Sequence, residues 1–293
     1  MRTCYYNEEC RNTIDSVVHE DNALIYFGEK SKIGIKSCIF EDVYGYRGFR
    51  TKRGSEIYIE NCVFFDNYYE GGFFSFGTND ETKYGKYQIN DSEFIKVRSP
   101  YGGIVNIEEI GIHSDINCKF FRCYFERNSA DFHGGIIYSL FNRTNRYITF
   151  ENCTFHENFA KHGDIFYGFT QQYEPIIRYN LEELKEIDGA FVTNPVRLEF
   201  TEESPQSLIL SSGDTIPNNI QCYFVDDYDN VINTQDLGSV DVTPINDIIF
   251  FSLEVDDSYN VGIVGSSRSF CWNGLCTFPA VKSKSLSYLL LKI

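Results

Sequence analysis

The stretch ENCTFHENFAKHGDIF, residues 151–166, decides the fold because it has a counterpart earlier in the chain, ENCVFFDNYYEGGFFSF, residues 60–76. Both read Cys-x-Phe-x-x-Asn and then pass through a short Gly-containing turn into an apolar run. Three further segments align with them. IGIKSCIF from Ile33, IYIENCVF from Ile57, YQINDSEF from Tyr87, CKFFRCYF from Cys118 and ITFENCTF from Ile148 all place apolar or small residues at the same four positions. The resulting columns are Ile33, Ile57, Tyr87, Cys118, Ile148; then Ile35, Ile59, Ile89, Phe120, Phe150; then Cys38, Cys62, Ser92, Cys123, Cys153; and finally Phe40, Phe64, Phe94, Phe125, Phe155.

Alternation of period two is the mark of a strand with one buried face, and the change of parity ahead of the Cys column predicts a bend joining two short strands. Three residues beyond the Phe stand Asn67, Asn128 and Asn158, with Val43 and Val97 in the other copies. The runs GGFFSF, GGIVNI, GGIIYS and GDIFYG then supply a third strand. The Cys/Ser column recurs after 24, 30, 31 and 30 residues, and tandem units of one size stack into a solenoid. Each column then becomes a line of side chains about 4.8 Å apart. Phe stacks on Phe, and Asn is expected to form a hydrogen-bonded ladder at a turn where left-handed backbone is tolerated.

The Cys column shares parity with the Phe column, so it is expected to point inward as a small thiol filling a tight bend. A nucleophile would not be copied four times; metal binding or a disulfide among the stacked Cys is the alternative, and no CxxC or Cys/His zinc spacing supports it. The residue before each Gly turn is expected to be exposed and also to stack, which gives the row Arg47, Glu70, Tyr101, His133, His162. His133 and His162, with Asp164 and Asp131 nearby, are a cluster suited to acid/base catalysis or to a divalent metal, against the plainer reading of a solvated turn edge with no third fixed ligand. Tyr44, Tyr46, Tyr68, Tyr69 and Tyr101 form a stripe suited to stacking on sugar rings or a protein partner.

The pattern C-x-F-x-x-N followed by G-G-x-[IF] resembles the repeats of right-handed parallel β-helix proteins, the pectin-lyase-like architecture, and in particular polymorphic outer-membrane-type adhesins. The resemblance covers roughly residues 14–175. Lyases and hydrolases of this architecture use Asp clusters with an Arg or Lys base, or grouped Asp with HG and R-x-K motifs. This chain has HGG at 133 and HGD at 162 but no R-x-K downstream. The resemblance therefore implies fold more strongly than activity, since one fold carries many functions.

After about residue 175 the units stop, and PIIRYNLEELKEIDG reads as a charged cap of the kind solenoids use to shield a terminal edge. From NPVRLEF onward short strands alternate with turn clusters such as SSGDTIPNN and DDYDN, the pattern of an immunoglobulin-like β-sandwich. DDYDN, Asp226 to Asn230, lacks the fixed Gly and distal Glu of an EF-hand and is expected to be a hairpin turn. CWNGLC suggests a local disulfide between Cys271 and Cys276, and Cys4 and Cys10 are a second candidate pair. SSGDTIPNNIQCYFVDDYDN and FCWNGLCTFP, behind the C-x-F-x-x-N coils, are similar to secreted or surface β-helix proteins of anaerobic gut fungi. That similarity implies an extracellular, non-enzymatic role.

The expected class is all-β: a right-handed parallel β-helix of about six coils with its cap over residues 1–194, then an immunoglobulin-like sandwich over residues 195–293. The chain of 293 residues has 26 Phe and 21 Tyr against one Trp and one Met, a bias toward strands. Its net charge of −16 argues against nucleic acid or an anionic membrane surface as partner. Ten Cys and sequons at Asn90, Asn142 and Asn152 point to an exported, extracellular or cell-surface protein. MRTCYYNEECRN has no apolar core of signal-peptide length, so an exported form is expected to be longer than this chain. No cofactor and no metal is expected. The expected partners are extracellular proteins or polysaccharides, with membrane association only through modules outside the chain. The leading functional expectation is a structural or interaction module: a scaffold, an adhesin or a receptor ectodomain. The alternatives are a polysaccharide lyase or glycoside hydrolase, and a carbohydrate-binding ectodomain.

Overall fold

The computed structural model describes residues 23–28, 30–51, 54–76, 84–108, 115–205, 207–216, 220–232, 250–255, 258–272, 274–285 and 289–292. The chain divides into two compact units, Met1–Asn194 and Pro195–Ile293.

The first unit is a parallel β-solenoid of about four turns. Its first face holds six strands: Lys32–Lys36, Ser55–Glu60, Tyr84–Asn90, Asp115–Phe121, Ile148–Glu151 and Ile176–Arg178. The second face holds Ile39–Glu41, Val63–Phe65, Glu93–Ile95, Tyr124–Glu126 and Thr154–His156. Tyr44–Gly45, Tyr68–Tyr69, Arg98–Tyr101 and Ser129–His133 make the third, and Phe74–Phe76, Val105–Ile107, Ile137–Ser139, Phe166–Gly168 and Phe191–Thr193 the fourth. The count falls short of six full coils because the fifth coil meets the third face only through the bridges Ser129–Phe159 and His133–His162, and the last rung is incomplete. Between Ile176–Arg178 and Phe191–Thr193 the chain forms the helix Leu181–Lys185 where second- and third-face strands would lie.

The columns meet in register. Ile33, Ile57, Tyr87, Cys118 and Ile148 pair successively, as do Ile35, Ile59, Ile89, Phe120 and Phe150. The rings of Phe40, Phe64, Phe94, Phe125 and Phe155 stack nearly flat, with successive centroids 5.0, 4.9, 5.2 and 5.1 Å apart. Asn67, Asn128 and Asn158 are buried and bridge coils. Asn128 Nδ2 donates to Phe94 O at 2.8 Å while its Oδ1 accepts from Val97 N at 2.9 Å, and Asn67 makes the same two bonds to Phe40 and Val43.

The ladder differs from expectation in where its left-handed backbone lies. The left-handed residue is the one before the Asn, namely Asp42, Asp66, Lys96, Arg127 or Glu157, and a second such row, Ser37, Asn61, Asp91, Arg122 and Asn152, precedes the Cys column. All ten have φ between 48° and 55°. Left-handed backbone costs a non-Gly residue roughly 1–2 kcal/mol. Here it aims each N–H at the next coil: Asn61 to Asn90 O, Asp91 to Phe121 O, Asp66 to Ile95 O and Lys96 to Glu126 O, at 2.9–3.1 Å. The corners thus keep their backbone hydrogen bonds, and the Asn serves through its amide. At the Gly turn, Gly134 has φ +69°, and a Cβ on Gly135 would lie 2.2 Å from Asp164 O of the next coil.

The cap is built from the repeat itself. Ile177 pairs with Phe150, so Tyr179 continues the left-handed row and Asn180 the Cys column. Asn180 Nδ2 donates to Cys153 O at 3.0 Å, an acceptor of the kind that in earlier coils takes a strand N–H, as when Thr154 N reaches Cys123 O. A side-chain amide thereby closes the second face.

The second unit is antiparallel. Arg197–Phe200, Gln221–Val225, Leu275–Thr277, Arg268–Trp272 and Phe250–Ser252 form one sheet, with Val231–Ile232 paired to Gln221–Val225. Ser207–Leu210 pairs with Leu289–Lys292, and Val261–Val264 with Lys282–Ser285. Leu210, Ile216, Ile220 and Val281 are buried together, with Phe200, Leu208, Ile263 and Phe278 packed against them. The larger sheet and the smaller pairs thus share a core. Asp226 to Asn230 is a hairpin turn: Asp226 Oδ1 accepts from the N–H groups of Tyr228 and Asn230 at 2.9 and 2.8 Å.

Replacing Phe125 by Ala removes a ring from the middle of an enclosed stack and is expected to destabilise the solenoid by about 3–5 kcal/mol. Denaturant unfolding measures this; an unchanged midpoint would contradict the column assignment.

Candidate functional site

The row before the Gly turns lines up over its last three members, whereas the pairing of Gly45 with Tyr69 sets Tyr46 rather than Arg47 opposite Glu70. Tyr101 pairs with His133 and His133 with His162, with ring centroids 5.7 and 5.5 Å apart. The expectation that His133 is exposed is overturned. It is 6% exposed, with Tyr167 stacked on it at 4.4 Å and Tyr138 at 6.0 Å. The left-handed Gly134 and Gly163 fold the chain back so that these turn residues lie against the outward side chains of the fourth face. Those side chains, Tyr138 and Tyr167, are in register with each other. Sequence reasoning followed the inward columns and missed both, although they occupy equivalent places in GGIIYS and GDIFYG.

Burial holds the His133 imidazole neutral and pushes its pKa down to about 4, and the neighbouring His162 and Lys161 charges act in the same direction. Asp164 is used elsewhere: its Oδ1 accepts from Ala160 N–H at 2.9 Å and pins its own turn, and burial raises its carboxyl above the usual range. Asp131 is exposed on the third face. Of the three catalytic candidates, His133 and His162 adjoin as tilted rings, and Asp164 is engaged in capping its own turn. Among the described residues, metal-type donor atoms converge within 4.8 Å at Glu126, His156 and Glu157, where Arg127 Nε already lies 2.7 Å from Glu157 Oε2.

The tyrosine stripe is divided. Tyr69 is fully buried against Phe73 because residues along the third face alternate inward and outward. Tyr44 and Tyr68 stack on each other at 5.0 Å, and Tyr101 stacks on Phe132 at 5.1 Å. Their ring faces are thus partly occupied by one another. Tyr68 Oη donates to Glu70 at 2.8 Å, and the Arg47 guanidinium lies over the Tyr46 ring at 5.3 Å.

Cys62, Cys123 and Cys153 are buried, reduced, and directed at strand-end carbonyls: Cys62 Sγ reaches Glu60 O at 3.4 Å and Cys123 Sγ reaches Ile89 O at 3.5 Å. Burial raises the Cys62 and Cys123 thiols above the ordinary range, so neither is a thiolate at neutral pH unless a base draws off its proton. Cys271 and Cys276 form a disulfide across a hairpin, and Cys222 is a buried free thiol pushed up to about 11 by burial. Cys4 and Cys10 lie outside the described residues. Asn142 and Asn152 are exposed, whereas Asn90 is half-buried with its side-chain oxygen enclosed. Among the described residues no helix is long and apolar enough to cross a membrane. No family model, curated protein or solved structure matches this chain.

Two outcomes follow from this geometry. In the unfolded chain His133 takes up its proton near pH 6.5, and in the fold only near 4. Between those values the unfolded state binds more protons, so stability falls as pH drops through that window, by roughly 2–3 kcal/mol from this group. Unfolding measured across pH 4–7 should show a shallower acid loss in His133→Phe than in wild type. Secondly, a thiol-alkylating reagent applied to the native protein should leave Cys62, Cys123 and Cys153 unlabelled; rapid labelling would place them outside the bore.

Proposed function

We propose that this chain is a non-enzymatic extracellular or cell-surface module, a scaffold, adhesin or receptor ectodomain whose partners are proteins or polysaccharides. In this reading the solenoid is of the right-handed pectin-lyase-like type, the second unit is immunoglobulin-like, and the chain is related to surface β-helix proteins of gut fungi. The observation that carries the proposal is the use to which the chemistry-bearing residues are put. The column thiols bond to backbone carbonyls, His133 is neutral between tyrosines, and Asp164 caps its own turn. What the repeat leaves outward includes charged side chains paired from coil to coil, which suits presentation and contact more than bond-making.

The test is incubation with a panel of pectins and hemicelluloses, with and without calcium. No new reducing or unsaturated ends are expected. Cleavage abolished in His162→Ala would overturn the proposal in favour of a lyase or hydrolase.

A further inference from the structure

The Cys/Ser column is interrupted at its middle rung, and the interruption sorts its thiols. Ile35 pairs with Ile59 and Ile39 with Val63, which sets Cys38 opposite Cys62 in the next coil. Phe120 pairs with Phe150 and Tyr124 with Thr154, which sets Cys123 opposite Cys153 in the same way. Neighbouring strands lie about 4.8 Å apart, inside the Cα separation that a disulfide spans. Between the pairs stands Ser92, whose Oγ accepts from Cys62 N–H at 3.1 Å and donates to Asn90 O at 2.8 Å. It fills the place of a thiol, makes the bonds the bend requires, and cannot form a disulfide.

We propose that the column is built as two insulated dithiol pairs, and that the first, Cys38 with Cys62, is a redox-modification site that takes an inter-coil disulfide from a small-molecule disulfide. Access separates the pairs. Cys38 is half-buried on the first rung of its face, while Cys123 and Cys153 are both enclosed, at 2% and 4% exposure. With glutathione disulfide as oxidant, the Cys38 thiolate attacks one of its sulfurs, the S–S bond breaks and one glutathione thiolate departs. Cys62 then passes its proton to a departing glutathione and attacks the Cys38 sulfur, which expels the second glutathione. The two cysteines lose two electrons and two protons, and one glutathione disulfide becomes two glutathione thiols. Ser92 keeps the product unique, since a thiol there would give Cys62 a second partner on its other side.

The experiment equilibrates the full folded chain with glutathione disulfide, quenches with acid, alkylates after denaturation and maps peptides without reduction. A Cys38–Cys62 linked peptide is expected, with Cys123 and Cys153 recovered as thiols and the Tm raised by several degrees. Three results would overturn the proposal: Cys38 and Cys62 both recovered as thiols, glutathione retained on Cys38 beside a free Cys62, or a Cys123–Cys153 link forming equally fast. In Cys38→Ser, Cys62 should stay a thiol, and its modification there would refute the route through Cys38. Ser92→Cys should add links from position 92 to Cys62 or Cys123; a map identical to wild type would refute the insulating role.

Discussion

In-register parallel pairing is the constraint on which the solenoid depends. Each residue faces its own equivalent in the next coil, so every choice of side chain is multiplied along the axis. Flat rings profit from this, because the dispersion and burial gained by one Phe pair recur at each step. Charges suffer from it, because a repeated carboxylate would face another. The outward positions answer with opposite signs in adjacent coils: Lys32 with Glu56, Lys36 with Glu60, Asp66 with Arg98, Asp91 with Arg122 and Arg127 with Glu157. Exposed pairs of this kind contribute only about 0–1 kcal/mol each. Their larger effect in a chain of net charge −16 is on register, since many alternative pairings would bring like charges together.

Much of this was legible in the sequence because a repeat exposes its own parity. The Ile, Cys and Phe columns read directly onto three lines of paired residues, and the Asn column onto a ladder. What escaped was whatever depends on backbone conformation between columns. Nothing about Lys96 or Arg127 as residue types announces left-handed backbone, because what places them there is the direction their N–H must take toward the next coil. Tyr69 was read as one of a surface pair with Tyr68, yet adjacent residues on a strand face opposite ways and only one can be outside. His133 was read as exposed because a turn was assumed to end at solvent. Tyr138 and Tyr167, whose outward places in the repeat looked unremarked, cover it.

The outer aromatic layer also decides what the candidate site is able to do. A general base needs water or substrate within hydrogen-bond reach and a pKa near the working pH. His133 has tyrosine rings against its faces and takes a proton only in acid. The group most suggestive of catalysis in the sequence is therefore the one most fully converted into packing. His162 is half-buried one coil further on and keeps more access to solvent.

The third column shows how a position is specified by the bond it must make rather than by residue identity. Cys38, Cys62, Cys123 and Cys153 place a sulfur at the bend, directed at strand-end carbonyls. Ser92 does the same with a hydroxyl toward Asn90 O. Asn180, at the last rung, is the largest of the set, and its amide reaches Cys153 O in the preceding coil. A thiol or hydroxyl is short enough to let another strand pair beyond it, whereas the Asn amide takes up the acceptor such a strand would need. A single column can thus both propagate the second face and close it, with the helix Leu181–Lys185 following where further strands would lie.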